Sequence, residues 1–262
     1  MEVLVEPLDD ANFQLEKIVR RILQTQKSGR NIWIARSVSP SEDGGEFVHI
    51  GLGIVEETGF DAGSLDGSCR DEGLLRSLCG AEPALAAFNR TRCFVQPAGL
   101  PARVFLFGGG HVAQPLAMLC QMTGFRTVVV DDRSEFADAE RFPQSEIVVP
   151  ASFEGCFSKL DVGPYDFLVI VTRGHAFDKV VLAQALRTQA RYIGMIGSRR
   201  KQDAIYKALA DEGVVPEKLT RVRSPIGLAI GARTPEEIAV SIAAELIAVR
   251  SGLGCGKDGK SK

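Results

Sequence analysis

The chain has 262 residues, 45% of them hydrophobic and 24% charged, enough to bury one large core or two smaller ones and too apolar for a disordered or collagen-like polymer. With 31 Lys and Arg against 33 Asp and Glu, the formal net charge of −2 gives no bulk attraction for nucleic-acid phosphates or an anionic membrane, which points to a small molecule or a protein as partner. Six scattered cysteines without a CxxC pair, an opening MEVLVEPLDD with no basic stretch, and no run of about 18 apolar residues read together as a reducing, cytoplasmic protein that is neither exported nor membrane-spanning.

In chain order, Asp10 to Lys27 carries Phe13, Leu15, Ile18, Val19, Ile22 and Leu23 at helical spacing and stops at Ser28-Gly29. Ile32 to Val38 and Phe47 to Val55 read as strands about a turn at Gly44-Gly45, with His49 inside the second as a structural or exposed histidine. A helix is expected over Glu72 to Asn89, interrupted near Pro83, and no catalytic cluster stands out in this portion. The composition then shifts at Gly99-Leu100-Pro101. Residues 1–100 hold 10 basic and 15 acidic side chains, and residues 101–262 hold 21 and 18, so an acidic α+β domain (1–100) precedes a mildly basic one (101–250). Ser251 to Lys262 is a Gly, Ser and Lys tail expected to be disordered, with Cys255 an incidental thiol.

From Arg103 onward the pattern is regular. Strands are expected at Val104–Phe107, Thr127–Val130, Ile147–Val149, Phe167–Val171 and Tyr192–Ile196, and helices at Val112–Met122, Phe177–Thr188, Arg199–Glu212 and Pro235–Arg250. Alternating strands and helices, with VFLF, TVVV and FLVIV as continuous apolar runs, imply an α/β, Rossmann-like parallel sheet with helices on both faces. Thr234-Pro235-Glu236-Glu237 is a capping box with proline at the first helical position.

Between the first strand and helix lies Gly108-Gly109-Gly110-His111-Val112-Ala113, a GxGxxA turn, and Asp131 follows Gly110 by 21 positions at the end of the next strand. This is the dinucleotide-binding context: Gly108 permits the tight turn, Gly110 lets backbone approach a phosphate, Ala113 allows close helix packing, and free N–H groups face the anion. Asp131 or Asp132 can accept from ribose hydroxyls, and Arg133 can meet a phosphate. His111 either donates to the ligand or is held by local hydrogen bonds. Two more strand ends aim chemistry at the same edge: Arg173 and His175 after the fourth strand, and Ser198-Arg199-Arg200-Lys201 after the fifth, a helix start rich in cations that suits a second anion. No GxSxG, HExxH, P-loop lysine or Cys/His zinc cluster occurs.

The segments FGGGHVAQPLA, VVVDDRSEFA, ERFP, TRGHAFD, YIGMIGSRRK and SPIGLAIGARTPEEIAVSIAAEL, over Arg103 to Arg250, resemble in order those of the xanthine dehydrogenase accessory protein family of the XdhC/CoxI type. That resemblance implies a maturation factor that binds molybdenum cofactor (molybdopterin), assists its sulfuration and passes it to a molybdenum hydroxylase apo-enzyme of the xanthine dehydrogenase or aldehyde oxidoreductase type. It implies that Gly108 to His111, Asp131, Asp132, His175, Ser198, Arg199 and Arg200 frame the cofactor. It points to a cofactor-binding chaperone ahead of a catalyst, and leaves open a cysteine desulfurase partner and a homodimer. The chain departs from the family in lacking GSxPRxxG and GSxGGGCxE segments within residues 1–100, and in Ala229 where PIGLDIG has a carboxylate. The residues alone also allow an NAD(P)-dependent oxidoreductase, and a nucleotide-sensing, protein-binding regulator.

Overall fold

The computed structural model describes residues 13–27, 32–40, 47–56, 59–65, 69, 71–79, 83–88, 91–98 and 101–251. The chain divides into two compact units, Met1–Leu100 and Pro101–Lys262.

In the first unit α1 (Phe13–Lys27) is followed by β1 (Ile32–Pro40), β2 (Phe47–Glu56), β3 (Gly59–Ser64), α2 (Glu72–Leu78), β4 (Ala84–Phe88) and β5 (Thr91–Pro97). The strands form one antiparallel sheet in the order β3-β2-β1-β5-β4. Because successive strand residues face opposite sides, the sheet has two cores. Ile32, Leu52 and Ile54 pack with Ile18 of α1 on one side. Trp33, Ala35, Val55, Cys93 and Val95 pack with Leu75 of α2 on the other.

One expectation fails here. The helix over Glu72 to Asn89 ends at Leu78, and Ala84–Phe88 is instead an edge strand paired with β5. The alanines of that stretch favour a helix in isolation, but Pro83 has no N–H and would obstruct the turn before it, while β5 offers a complete ladder. The Gly44-Gly45 turn, the His49 side chain and the tail from residue 252 lie outside the described residues.

The second unit alternates strand and helix: β6 (Arg103–Phe107), α3 (Ala113–Met122), β7 (Arg126–Val130), β8 (Glu146–Val148), a 3-10 turn (Cys156–Lys159), β9 (Phe167–Ile170), α4 (His175–Ala185), β10 (Tyr192–Met195), α5 (Arg199–Asp211), α6 (Pro216–Leu219), β11 (Val222–Arg223) and α7 (Pro235–Arg250). All six strands are parallel, in the order β11-β10-β9-β6-β7-β8. The unit starts at the centre with β6, moves outward through β7 and β8, then returns to β9 on the other side of β6. That reversal is the topological switch of a Rossmann fold, and it leaves a crevice at the carboxyl ends of β6 and its neighbours.

Every residue of β9 is buried, and β6 and β7 are buried apart from their first residues, because helices cover both faces. Val104, Leu106, Val129 and Val169 meet Leu116, Cys120, Ile242 and Leu246 of α3 and α7. Phe105, Phe107, Val128 and Ile170 meet Val181, Leu182, Ile205 and Leu209 of α4 and α5. The helix start at Thr234 is a complete capping box. β11 and α6, two and four residues long, are too short to leave a periodic signal. No helix among the described residues is long and apolar enough to cross a membrane.

Candidate functional site

The carboxyl edge of the parallel sheet is where the sequence places its glycine turn, and three neighbouring turns build the surroundings. Gly108 leaves β6 at φ +109°, a left-handed conformation that side chains resist. A Cβ there would also lie 2.5 Å from the Val171 carbonyl oxygen, so the turn after β9 packs directly on it. Gly109 is needed for a different reason, since its Cβ would stand 2.2 Å from the Phe136 carbonyl oxygen in the turn after β7. Gly110 faces open space: apart from its two chain neighbours, no described residue comes within 4 Å of a Cβ built on it. The three glycines thus divide into two that make room for protein and one that leaves room for something else.

Hydrogen bonding follows the same division. The Gly108 N–H donates to the Val130 carbonyl (2.8 Å) and the Gly109 N–H to Asp131 Oδ2 (2.9 Å). The Gly109 carbonyl accepts from Arg141 Nη2 (3.0 Å). The N–H groups of Gly110, His111 and Val112 have no partner within the described residues. Val112 is the N-cap of α3 and supplies no side-chain cap, and His111 is exposed beside it. An uncapped helix start presents unsatisfied donors at the positive end of the helix dipole.

Asp131 is fully buried, and its carboxylate is engaged. Besides Gly109 it accepts from the Arg133 N–H (3.1 Å), Arg133 Nε (3.0 Å) and Arg133 Nη2 (3.1 Å). Arg133 in turn stacks on the Phe136 ring at 3.5 Å. Asp132 is held in a two-pronged ion pair by Arg173, with Nη1 on Oδ1 and Nη2 on Oδ2 at 3.0 Å. The Arg173 guanidinium keeps the Asp132 carboxyl below its ordinary range, and Asp132 raises Arg173 in return. Arg173 lies over the Phe177 ring at 4.1 Å.

The remaining positions flank this group. His175 is the first residue of α4, and its side chain lies outside the described residues. Ser198 is the N-cap of α5, its Oγ accepting the Lys201 N–H at 3.3 Å. Arg199 and Arg200 are exposed and make no side-chain bond within the described residues. Lys201 turns inward, its Nζ paired with Asp178 Oδ2, while Thr172 Oγ1 donates to Asp178 Oδ1 at 2.6 Å. The buried Asp178 therefore ties the first turns of α4 and α5 to the end of β9.

Sequence reasoning did not single out Phe136, Arg141, Thr172 or Asp178. All four fall inside the DRSEFA, ERFP and TRGHAFD segments, so the signal existed but had no local chemistry to interpret it. A second buried polar group lies at β11 and α7: Glu245 accepts the Gly227 N–H, lies 3.9 Å from Arg223 Nε, and is pushed above its ordinary range by burial. No group of three or more His, Cys, Asp or Glu suited to a metal ion occurs among the described residues.

The model of the XdhC Rossmann domain matches residues 104–246. The protein YqeB of Escherichia coli K12 is 33% identical over 159 residues, which cover 60% of this chain and 29% of YqeB. A Bacillus subtilis 168 protein, named as a probable subunit of xanthine dehydrogenase, is 33% identical over 160 residues, 61% of this chain and 46% of its own. A crystal structure from Bacillus halodurans, described as a xanthine dehydrogenase, superposes with a TM-score of 0.67 at 25% identity, covering 91% of this chain and 65% of that one. The chain spans less than half the length of the two curated relatives.

Proposed function

The chain belongs to the XdhC Rossmann domain family, and from that premise we propose that it is an accessory factor that receives molybdenum cofactor as cargo and passes it to a molybdenum hydroxylase of the xanthine dehydrogenase kind. The observation that carries the reading is the cradle at the start of α3. The consecutive N–H groups of Gly110, His111 and Val112 have no partner among the described residues, and a Cβ built on Gly110 meets open space. Such a cradle fits a phosphate, the charged group of molybdopterin, through fixed donors and a helix dipole.

Arg199 and Arg200, exposed at the start of α5 two strands away, add cations without a side-chain partner among the described residues to the same edge. His111, itself part of the cradle and exposed, is the side chain this reading assigns to the bound molecule beyond its phosphate. Asp178, itself buried, positions the helix starts through Lys201 and Thr172. The chain's own part is to bind, orient and shield the cargo. Assistance to sulfuration, with a cysteine desulfurase as sulfur source, and transfer from a homodimer belong to the same proposal.

Binding is tested by supplying molybdenum cofactor anaerobically to the purified full chain, removing unbound material, and quantifying the pterin by mass spectrometry. Near-stoichiometric uptake, lost in Gly110→Asp, is expected. No uptake by the folded protein would refute the reading.

A further inference from the structure

The turn after β7 and the turn after β9 lie on either side of β6, and the Arg173–Asp132 pair joins them. Strands two apart are separated by about 10 Å, so this bond crosses the carboxyl end of the strand that feeds the glycine turn. The two turns also clasp that strand's exit from both sides, through Val171 against Gly108 and Phe136 against Gly109. In a dinucleotide-binding Rossmann site, a carboxylate at the end of the second strand accepts the ribose hydroxyls. Here two carboxylates and two guanidiniums face one another: Asp131 is buried with four internal bonds, and both oxygens of Asp132 are held by Arg173.

We propose that the Arg173–Asp132 pair sets the ligand class of this site: Arg173 is the cation that an incoming phosphate monoester recruits, Asp132 is the internal competitor that holds it until then, and a dinucleotide, which needs a free carboxylate at the end of β7, is rejected. The inference rests on the reading that the glycine turn receives a phosphate-bearing molecule, and it narrows that molecule to one whose phosphate is compact and terminal. Arg173 suits this exchange. It sits partly exposed on the Phe177 ring, so it can change anions without moving its stem. Arg133, with three bonds to the buried Asp131 and a ring beneath it, is the fixed member of the quartet.

The consequence runs opposite to that of an ordinary dinucleotide site. Removing a ribose acceptor weakens NAD binding, whereas removing a competitor strengthens phosphate binding. Asp132→Asn keeps the shape of the side chain and frees Arg173. Inorganic phosphate and NAD+ are titrated calorimetrically into the full chain, its Asp132→Asn variant, and the double variant Asp132→Asn/Arg173→Gln. The single variant is expected to bind inorganic phosphate roughly tenfold more tightly than the parent, between the scale of one charge pair in bulk water and that of one near a protein surface. The double variant is expected to lose that gain, and NAD+ is expected not to saturate the parent.

Unchanged or weaker phosphate binding in Asp132→Asn overturns the proposal, as does a gain that survives in the double variant, which would mark a general charge effect. Saturable NAD+ binding that Asp132→Asn abolishes also overturns it. The molybdenum-cofactor reading stands or falls separately, on pterin uptake. Phosphate competition without uptake would sink that reading alone, and uptake without competition would sink only the role of Asp132.

Discussion

Gly109 and Gly110 are adjacent, both lie outside the left-handed region, and a sequence motif treats them alike, yet a methyl group at each should have opposite effects. In Gly109→Ala the new Cβ falls 2.2 Å from the Phe136 carbonyl oxygen and 2.8 Å from its carbon, which are backbone atoms that cannot swing away. The turn after β7 must retreat, and the bonds from the Gly109 N–H to Asp131 (2.9 Å) and from Arg141 to the Gly109 carbonyl (3.0 Å) stretch with it. Losing a hydrogen bond to a charged group costs about 1.5–3 kcal/mol, and overpacking about 1–3 kcal/mol. A total near 4 kcal/mol corresponds to a fall in Tm of about 10 °C for a unit of this size. In Gly110→Ala the methyl meets nothing within 4 Å, and stability should hold or rise by about 0.4–1 kcal/mol through the unfolded chain. Urea and thermal unfolding followed by circular dichroism read both, because the single tryptophan, Trp33, lies in the other unit and would not report on this one. Two variants of equal stability, or a Gly109→Ala protein within about 2 °C of the parent by the same conversion, would refute the division of the glycines argued from the structure. Phosphate binding separates them in the other sense, since Gly110→Ala fills the cradle and should weaken it.

Three further outcomes follow from buried groups. Lys201→Met removes the ion-pair partner of the buried Asp178 and should cost about 3–5 kcal/mol, most of it recovered when Asp178→Asn is added; equal losses in the single and double variants would show that the pair itself does not matter. Burial raises the Glu245 carboxyl, so the folded state holds a proton that the unfolded chain has released, and stability contributed there falls as pH rises from the ordinary glutamate range through the raised folded value. Glu245→Gln should flatten that slope and still accept the Gly227 N–H, whereas Glu245→Ala should cost about 1–3 kcal/mol by leaving the N–H unpaired; urea midpoints between pH 4 and 8 measure both. Burial pushes the thiols of Cys93 and Cys120 up to about 12, so neither should be alkylated in the native protein at pH 8, while both label once the chain is unfolded; peptide mass spectrometry that finds them labelled natively would contradict the packing.

The sequence by itself determined the Rossmann unit almost element by element, because buried parallel strands must be continuous apolar runs and amphipathic helices must repeat near 3.6 residues, and both are local patterns. It also placed the glycine turn, the Thr234 capping box and the cationic start of α5, whose meanings lie within a few residues. It mistook Ala84–Phe88 for helix, because the ladder from β5 that overrides helix propensity is a tertiary contact. Only the tertiary structure decided what the charges at the sheet edge do. Asp131 is engaged by a glycine 22 positions earlier, Asp132 by an arginine 41 positions later, and Lys201 by an aspartate in another helix. A charge in sequence is a resource, and folding alone determines whether a ligand or another residue of the chain receives it, because opposite charges brought together in a partly buried crevice pair before any ligand arrives.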